Sequence, residues 1–170
     1  KGDYKDTIKK ITNWLLSKQN PDGSWNETHV NYDNSSSVFT AICGLTLLEV
    51  CEEFSDIKIS KEVLDNTAKF LLDQELKNGH FKKSEHYHAD VLNADAMVST
   101  FLIKYGTKQD IQKYVEAAKR GLNNIINQQK NNGEFPYGSK IAQYPYKHHL
   151  DVPGIHYQSV TLYYLEKCNQ

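Results

Sequence analysis

The chain carries a single arginine. Of its twenty basic residues only Arg120 bears a guanidinium, which rules out a cluster of planar, bidentate forks for phosphate or carboxylate. An anion site must use lysine, histidine or backbone amides. With a formal net charge of −1 over 170 residues, no basic surface for nucleic acid or an anionic membrane is expected. No apolar run approaches the roughly 20 residues of a membrane span, and nothing resembles a signal peptide. Cysteine is scarce. Cys43, Cys51 and Cys168 are an odd count without metal-ligand spacing, two of them in an apolar helical run, and read as buried thiols that do not fix a compartment. Long alternating segments are missing as well, which argues against strands.

What is present is a threefold repeat of a helix followed by a glycine-centred turn that ends in an aromatic residue. The copies read WLLSKQNPDGSW (14–25), FLLDQELKNGHF (70–81) and IINQQKNNGEF (125–135), with turn glycines Gly23, Gly79 and Gly133 spaced 56 and 54 apart. A fixed period of this size marks an array of like units, none of which buries its apolar face alone.

Apolar residues at helical spacing place the helices. Tyr4, Ile8, Ile11 and Leu15 precede the first turn, and Val38, Ile42, Leu45 and Leu48 follow it. The second unit pairs Val63, Leu64, Ala68, Leu71 and Leu72 with Met97, Val98, Phe101 and Leu102, with Gly106 as its stop. Thr107 with Asp110 reads as the capping box of a third unit through Ile111, Tyr114, Val115, Ala118, Leu122 and Ile126, whose partner is 155–166. The expectation is an all-α domain of three helical hairpins, in units of about 1–55, 56–106 and 107–170.

Lys10, Trp14, Leu15, Gln19, Gly23 and Trp25 resemble the QW repeat of squalene-type cyclases and related α/α toroids of the terpenoid cyclase and protein prenyltransferase superfamily. The later copies match more loosely: Glu75 holds the place of Gln19, with Gln74 one position short, while Gln129 is in register and Asn124 answers Trp14. The resemblance implies a toroid fold with Trp14, Gln19, Trp25, Phe81 and Phe135 as structural residues. It does not carry an activity. The acidic DxDD motif of class II cyclases is absent, Asn93 to Asp95 supplying one carboxylate; Cys43 has no histidine beside it for a prenyltransferase-type zinc; and no thioester GCGEQ stretch exists. A six-hairpin ring needs about twice this length, so the chain offers an arc or half of an α/α toroid. A second chain or a further segment would complete it.

The loops into the second helix of each hairpin hold six of the seven histidines: His29, His86, His88, His148, His149 and His156. In a toroid those helices form the inner ring, and their N-terminal ends share one mouth, where helix dipoles favour an anion. Substrate contacts are expected from His86, His88, Asp90, His148, His149, Tyr144 and Tyr146, and catalysis from His156, Tyr157, Asp151 and Asp95. His156 and Tyr157 form the best proton-transfer pair, beside the longest loop. Read one by one, Asp33, Asn34, Ser35, Asn93 and Asp95 suit helix caps equally well. His86, His88 and Asp90 could coordinate zinc. HxH pairs arise easily by chance among seven histidines, and no metal or other cofactor is expected.

Three classes of function fit. The first is binding of, or acid/base chemistry on, a polar small molecule such as a saccharide, by a lyase, hydrolase or epimerase, as in toroids that place His, Tyr and carboxylates on such loops. The second is an isoprenoid cyclase or prenyltransferase-like domain, which needs a deep apolar cavity and, for a diphosphate, cations. The third is a non-catalytic repeat scaffold or protein-binding module.

Overall fold

A computed structural model describes residues 4–29, 32–76, 79–84, 91–138 and 154–169. Six helices and one short hairpin occur in these residues: α1 (Lys5–Leu16), β1 (Trp25–His29), β2 (Tyr32–Ser36), α2 (Ser37–Glu53), α3 (Lys61–Asp73), α4 (Leu92–Gln109), α5 (Gln112–Asn127) and α6 (Ile155–Lys167). The fold is mostly helical, but the all-α expectation misses the antiparallel pair β1–β2, in register from Trp25 opposite Ser36 to His29 opposite Tyr32.

Composition assigns the helices to two rows. Ala41, Leu45, Leu47, Leu48 and Val50 are buried on α2, and α4 is buried over most of its length from Leu92 to Gly106; helices apolar on nearly every side belong inside. In contrast, α1, α3 and α5 carry lysines and acids along one flank and form the outer row. Within the inner row α4 packs on α2 and on α6, and the tightest pair of all, α4 with α5, crosses the boundary between the second and third units. The core joins Trp25, Leu48, Leu71, Phe81, Phe101 and Tyr105, with Phe101 stacked on Tyr105 at 5.6 Å.

The three turns are copies of one another. Asn20, Leu76 and Lys130 each donate an N–H to the carbonyl four residues on, at 2.8, 2.7 and 2.8 Å, and Gly23, Gly79 and Gly133 each donate back at 2.9 Å. The glycines have φ of 89, 81 and 90°, left-handed backbone in which a Cβ is strained. Trp25 and Phe81 then enter the core, while Phe135 is half-buried.

Two helix readings are corrected. Gly106 does not end a helix: α4 continues to Gln109 and stops at Asp110, whose φ of 55° is left-handed. A Cβ on Gly106 would sit 2.9 Å from the Tyr114 Cβ, so this glycine permits the close crossing of α4 and α5, and Thr107 with Asp110 is no capping box. On α1 the inward face is Ile8, Thr12 and Leu15, with Thr12 buried and the other two half-buried; Ile11 and Trp14 are 55% and 59% exposed, and Tyr4 faces solvent too. Trp14 instead lies beneath the Lys18 ammonium, 5.9 Å from its ring.

Candidate functional site

Each turn aromatic is fastened to the inner helix that follows it, always through the fourth residue of that helix. The Trp25 N–H donates to Thr40 Oγ1 at 2.9 Å, the Phe81 N–H to Asp95 Oδ1 at 2.8 Å, and the Phe135 N–H to Gln158 Oε1 at 2.9 Å. Threonine, aspartate and glutamine thus serve one purpose, an acceptor for a backbone donor that folding removes from water.

Asp95 does more than its counterparts. It is fully enclosed, and its second oxygen lies 2.5 Å from His80 Nδ1. His80 is enclosed as well, and its Nε2 faces the Gln128 amide at 3.2 Å. An amide donor there requires an unprotonated Nε2, which leaves the Nδ1 proton for Asp95. Sequence reasoning passed over His80, the seventh histidine. Its signal was positional: it follows the turn glycine, where the other copies have Ser24 and Glu134.

The ends of the three loops are tied together by a second repeated contact. The first N–H of α2, from Ser37, donates to the Lys83 carbonyl at 2.9 Å, and the first N–H of α4, from Leu92, donates to the Tyr137 carbonyl at 3.1 Å. Bridges Ser36–Ser84 and Val91–Gly138 run alongside. The starts of α2 and α4 are therefore joined to the segments after the next turns, and these loop flanks lie along one end of the inner row.

At that end His156 is exposed and Tyr157 half-buried. Their rings meet edge to face at 5.3 Å, and Tyr157 lies on Tyr137 at 4.2 Å. The arrangement has local causes. Gln158 grips Phe135 through both its amide atoms, which fixes the first turn of α6 against residues 135–138. A Cβ on Gly154 would approach the Tyr157 ring to 2.8 Å, so glycine at the α6 cap lets that ring lie across the helix start. On β2 and in the first turn of α4, Asn34 Nδ2 and Asn93 Oδ1 are shielded from solvent without a hydrogen-bond partner, a state that costs about 1–3 kcal/mol unless water or a ligand relieves it.

His86, His88, Asp90, Tyr144, Tyr146, His148, His149 and Asp151 lie outside the described residues. Among the described residues no group of three or more His, Cys, Asp or Glu is placed to hold a metal, and no helix is long and apolar enough to cross a membrane.

A concavity that the sequence did not announce occurs at the opposite end of the inner row. It encloses about 460 Å³ between the last turns of α2, α4 and α6, with Leu45, Leu48 and Ile103 on its walls. Ion pairs Lys108–Glu52 at 2.9 Å and Lys167–Glu49 at 3.6 Å flank it. Burial pushes the Cys43 thiol, on α2, up to about 11, an inert state for a thiol.

Compared with protein-family models and with curated proteins, the sequence matches none. Solved structures do match. A family 10 polysaccharide lyase from Cellvibrio cellulosa, in complex with trigalacturonic acid, superposes with a TM-score of 0.70 at 16% identity, over 94% of this chain and 61% of the lyase. For ent-copalyl diphosphate synthase from Streptomyces platensis the values are 0.64 and 20%, over 98% and 29%. For cellobiose 2-epimerase from Spirochaeta thermophila they are 0.66 and 13%, over 96% and 46%. Identity this low shows the fold alone. The chain has an α/α-toroid fold, and it spans between 29% and 61% of the length of these proteins.

Proposed function

We propose that this chain is a toroid domain that binds a polar ligand, a saccharide by preference, at the N-terminal ends of its inner helices, and that His156 and Tyr157 exchange protons with it. The observation that carries the reading is the aromatic group at the start of α6: an accessible imidazole held edge-on to Tyr157, itself backed by Tyr137. Aromatic faces accept the apolar face of a sugar ring, and an imidazole beside a phenol supplies a base and an acid.

In this reading Asp151 supplies a catalytic carboxylate besides the pair, and His86, His88, Asp90, Tyr144, Tyr146, His148 and His149 form the polar wall. Asp95 is enclosed, so its part is to position: it holds His80 and the Phe81 turn against the first turn of α4. A saccharide is favoured over an isoprenoid diphosphate because the loops are polar and the one arginine, Arg120, is engaged by Glu75. The lyase and the epimerase among the structural neighbours are named for saccharides, which agrees with that preference. The rest of the ring comes from a second chain or from further residues.

The test is calorimetric titration with trigalacturonate and with cellobiose, alongside thermal melting. Saccharide binding is expected, and His156→Ala should weaken it at least tenfold, about 1.4 kcal/mol, at an unchanged melting temperature. Failure of both sugars to bind at millimolar concentration, or full binding by His156→Ala, would overturn the reading and leave a repeat scaffold.

A further inference from the structure

Each turn of the array seats the outer helix of the next unit. On α3, Gln19 Nε2 donates to the Val63 carbonyl and to Thr67 Oγ1, both at 3.1 Å, and the space a Cβ on Gly23 would occupy is 2.3 Å from the Asn66 carbonyl. On α5, Glu75, in the place of Gln19, takes both ends of the Arg120 guanidinium at 2.6 and 2.9 Å. A Cβ on Gly79 would lie 2.6 Å from Asn124 Nδ2. The seats are in register. Val63, Asn66, Thr67 and Phe70 correspond, at the spacing of the turn glycines, to Ala117, Arg120, Gly121 and Asn124.

The same spacing carries that stripe back onto α1 as Thr7, Lys10, Ile11 and Trp14, positions i, i+3, i+4 and i+7 of one helix face. All four are exposed, and no turn among the described residues covers them. At the other edge of the array the situation is reversed. A Cβ on Gly133 would meet nothing within 4 Å, and Gln129, the third counterpart of Gln19, is exposed and donates to the carbonyl of Gly133 in its own turn, at 2.9 Å. Ile126, Leu162 and Tyr163 stand exposed on α5 and α6. Among the described residues, one edge is an outer helix without a turn, and the other is a turn without an outer helix.

We propose that a second copy of this chain closes the arc, its α1 seated on the Gly133 turn as α3 is seated on the Gly23 turn, with the reciprocal contact on the far side. The two contacts are identical and related by a two-fold axis, so the assembly is a closed dimer of six hairpins and not a filament. In it Gln129 donates to the partner's Thr7 carbonyl, as Gln19 does to that of Val63, and Trp14 and Ile11 leave solvent. This inference is independent of the ligand proposed above, since it follows from the repeat contacts alone.

Light scattering on the eluting protein should give twice the chain mass of 19.5 kDa, and Trp14→Glu should halve that mass at unchanged helicity. Lys10→Cys and Asn132→Cys test the direction of pairing: mild oxidation should cross-link a mixture of the two variants and neither variant alone. A monomeric mass throughout the micromolar range, or cross-linking of Lys10→Cys with itself, overturns the proposal; the first result would give the two edges to helices from residues beyond this sequence, the second to face-to-face pairing.

Discussion

Thr40→Val isolates the bond that fastens a turn to its inner helix. The side chain is enclosed, and its hydroxyl accepts the N–H of Trp25, which is 3% exposed. Valine keeps the volume, so no cavity opens, but the Trp25 N–H loses its acceptor where water cannot replace it. A buried donor left unsatisfied costs about 1–3 kcal/mol, and in a chain of this length each kcal/mol lowers the melting temperature by roughly 2–4 °C. Asp95→Ala at the equivalent place should cost more, because it strands two enclosed donors at once, the Phe81 N–H and the His80 Nδ1–H, each worth about 1–3 kcal/mol. Gln158→Ala, where Phe135 is only half-buried, should cost least. Urea unfolding gives the three values, and amide exchange by NMR reads the Trp25 N–H directly. If Thr40→Val is as stable as the native protein with Trp25 exchange unchanged, or if Gln158→Ala is the most damaging of the three, the shared-acceptor argument is wrong.

Two further outcomes follow from the packing. Trp25→Ala should cost about 3–5 kcal/mol by urea unfolding, the range for a buried aromatic, and leave saccharide affinity intact in the fraction that stays folded; loss of affinity at full stability would move Trp25 into the site. Burial pushes the Asp65 carboxyl up, but hydrogen bonds from Lys61 and Tyr105 outweigh it and hold the group below the usual carboxylate range. A depressed native pKa contributes stability above the unfolded value, near 3.9, and loses it as pH falls through the native one. The gap in urea midpoint between the native protein and Tyr105→Phe should therefore be wider at pH 7 than below pH 3, and a gap independent of pH would remove Asp65 from the account.

The repeat was legible because its turns depend on local chemistry: a glycine for left-handed backbone and an aromatic two residues on are visible in any single copy. What was not legible depends on neighbours. Gly106 has the look of a helix stop, and only the approach of Tyr114 to 2.9 Å from its virtual Cβ reveals a crossing point. Tyr4, Ile8, Ile11 and Leu15 fit a helical period, yet only Ile8 and Leu15 turn inward, on either side of the buried Thr12, while Tyr4 and Ile11 face solvent; the period shows that a face exists, and the neighbouring helices show how much of it is covered. The β1–β2 hairpin escaped because WNETH and YDNSS lack alternating apolar residues, and pairing is imposed by the turn before and the helix after.

Residue type alone does not reveal what Asp95 does, and its position in the repeat does. An aspartate in the first turn of a helix is equally a cap, a catalyst or a clamp, and Asp95 was assigned by its chemistry. Aligned by turn glycine, it falls with Thr40 and Gln158, three residues that share no charge and no shape but all accept one backbone N–H. A role filled by such different side chains is invisible to a search for acidic or histidine-rich motifs. The same alignment places His80 with Ser24 and Glu134 and accounts for it as the partner of a buried acid. Groups that the repeat engages have their hydrogen bonds assigned by folding, so chemistry must be sought among those it does not engage. At the start of α6 these are His156 and Tyr157. Neither occupies the acceptor position, and neither is buried among the residues that join one unit to the next.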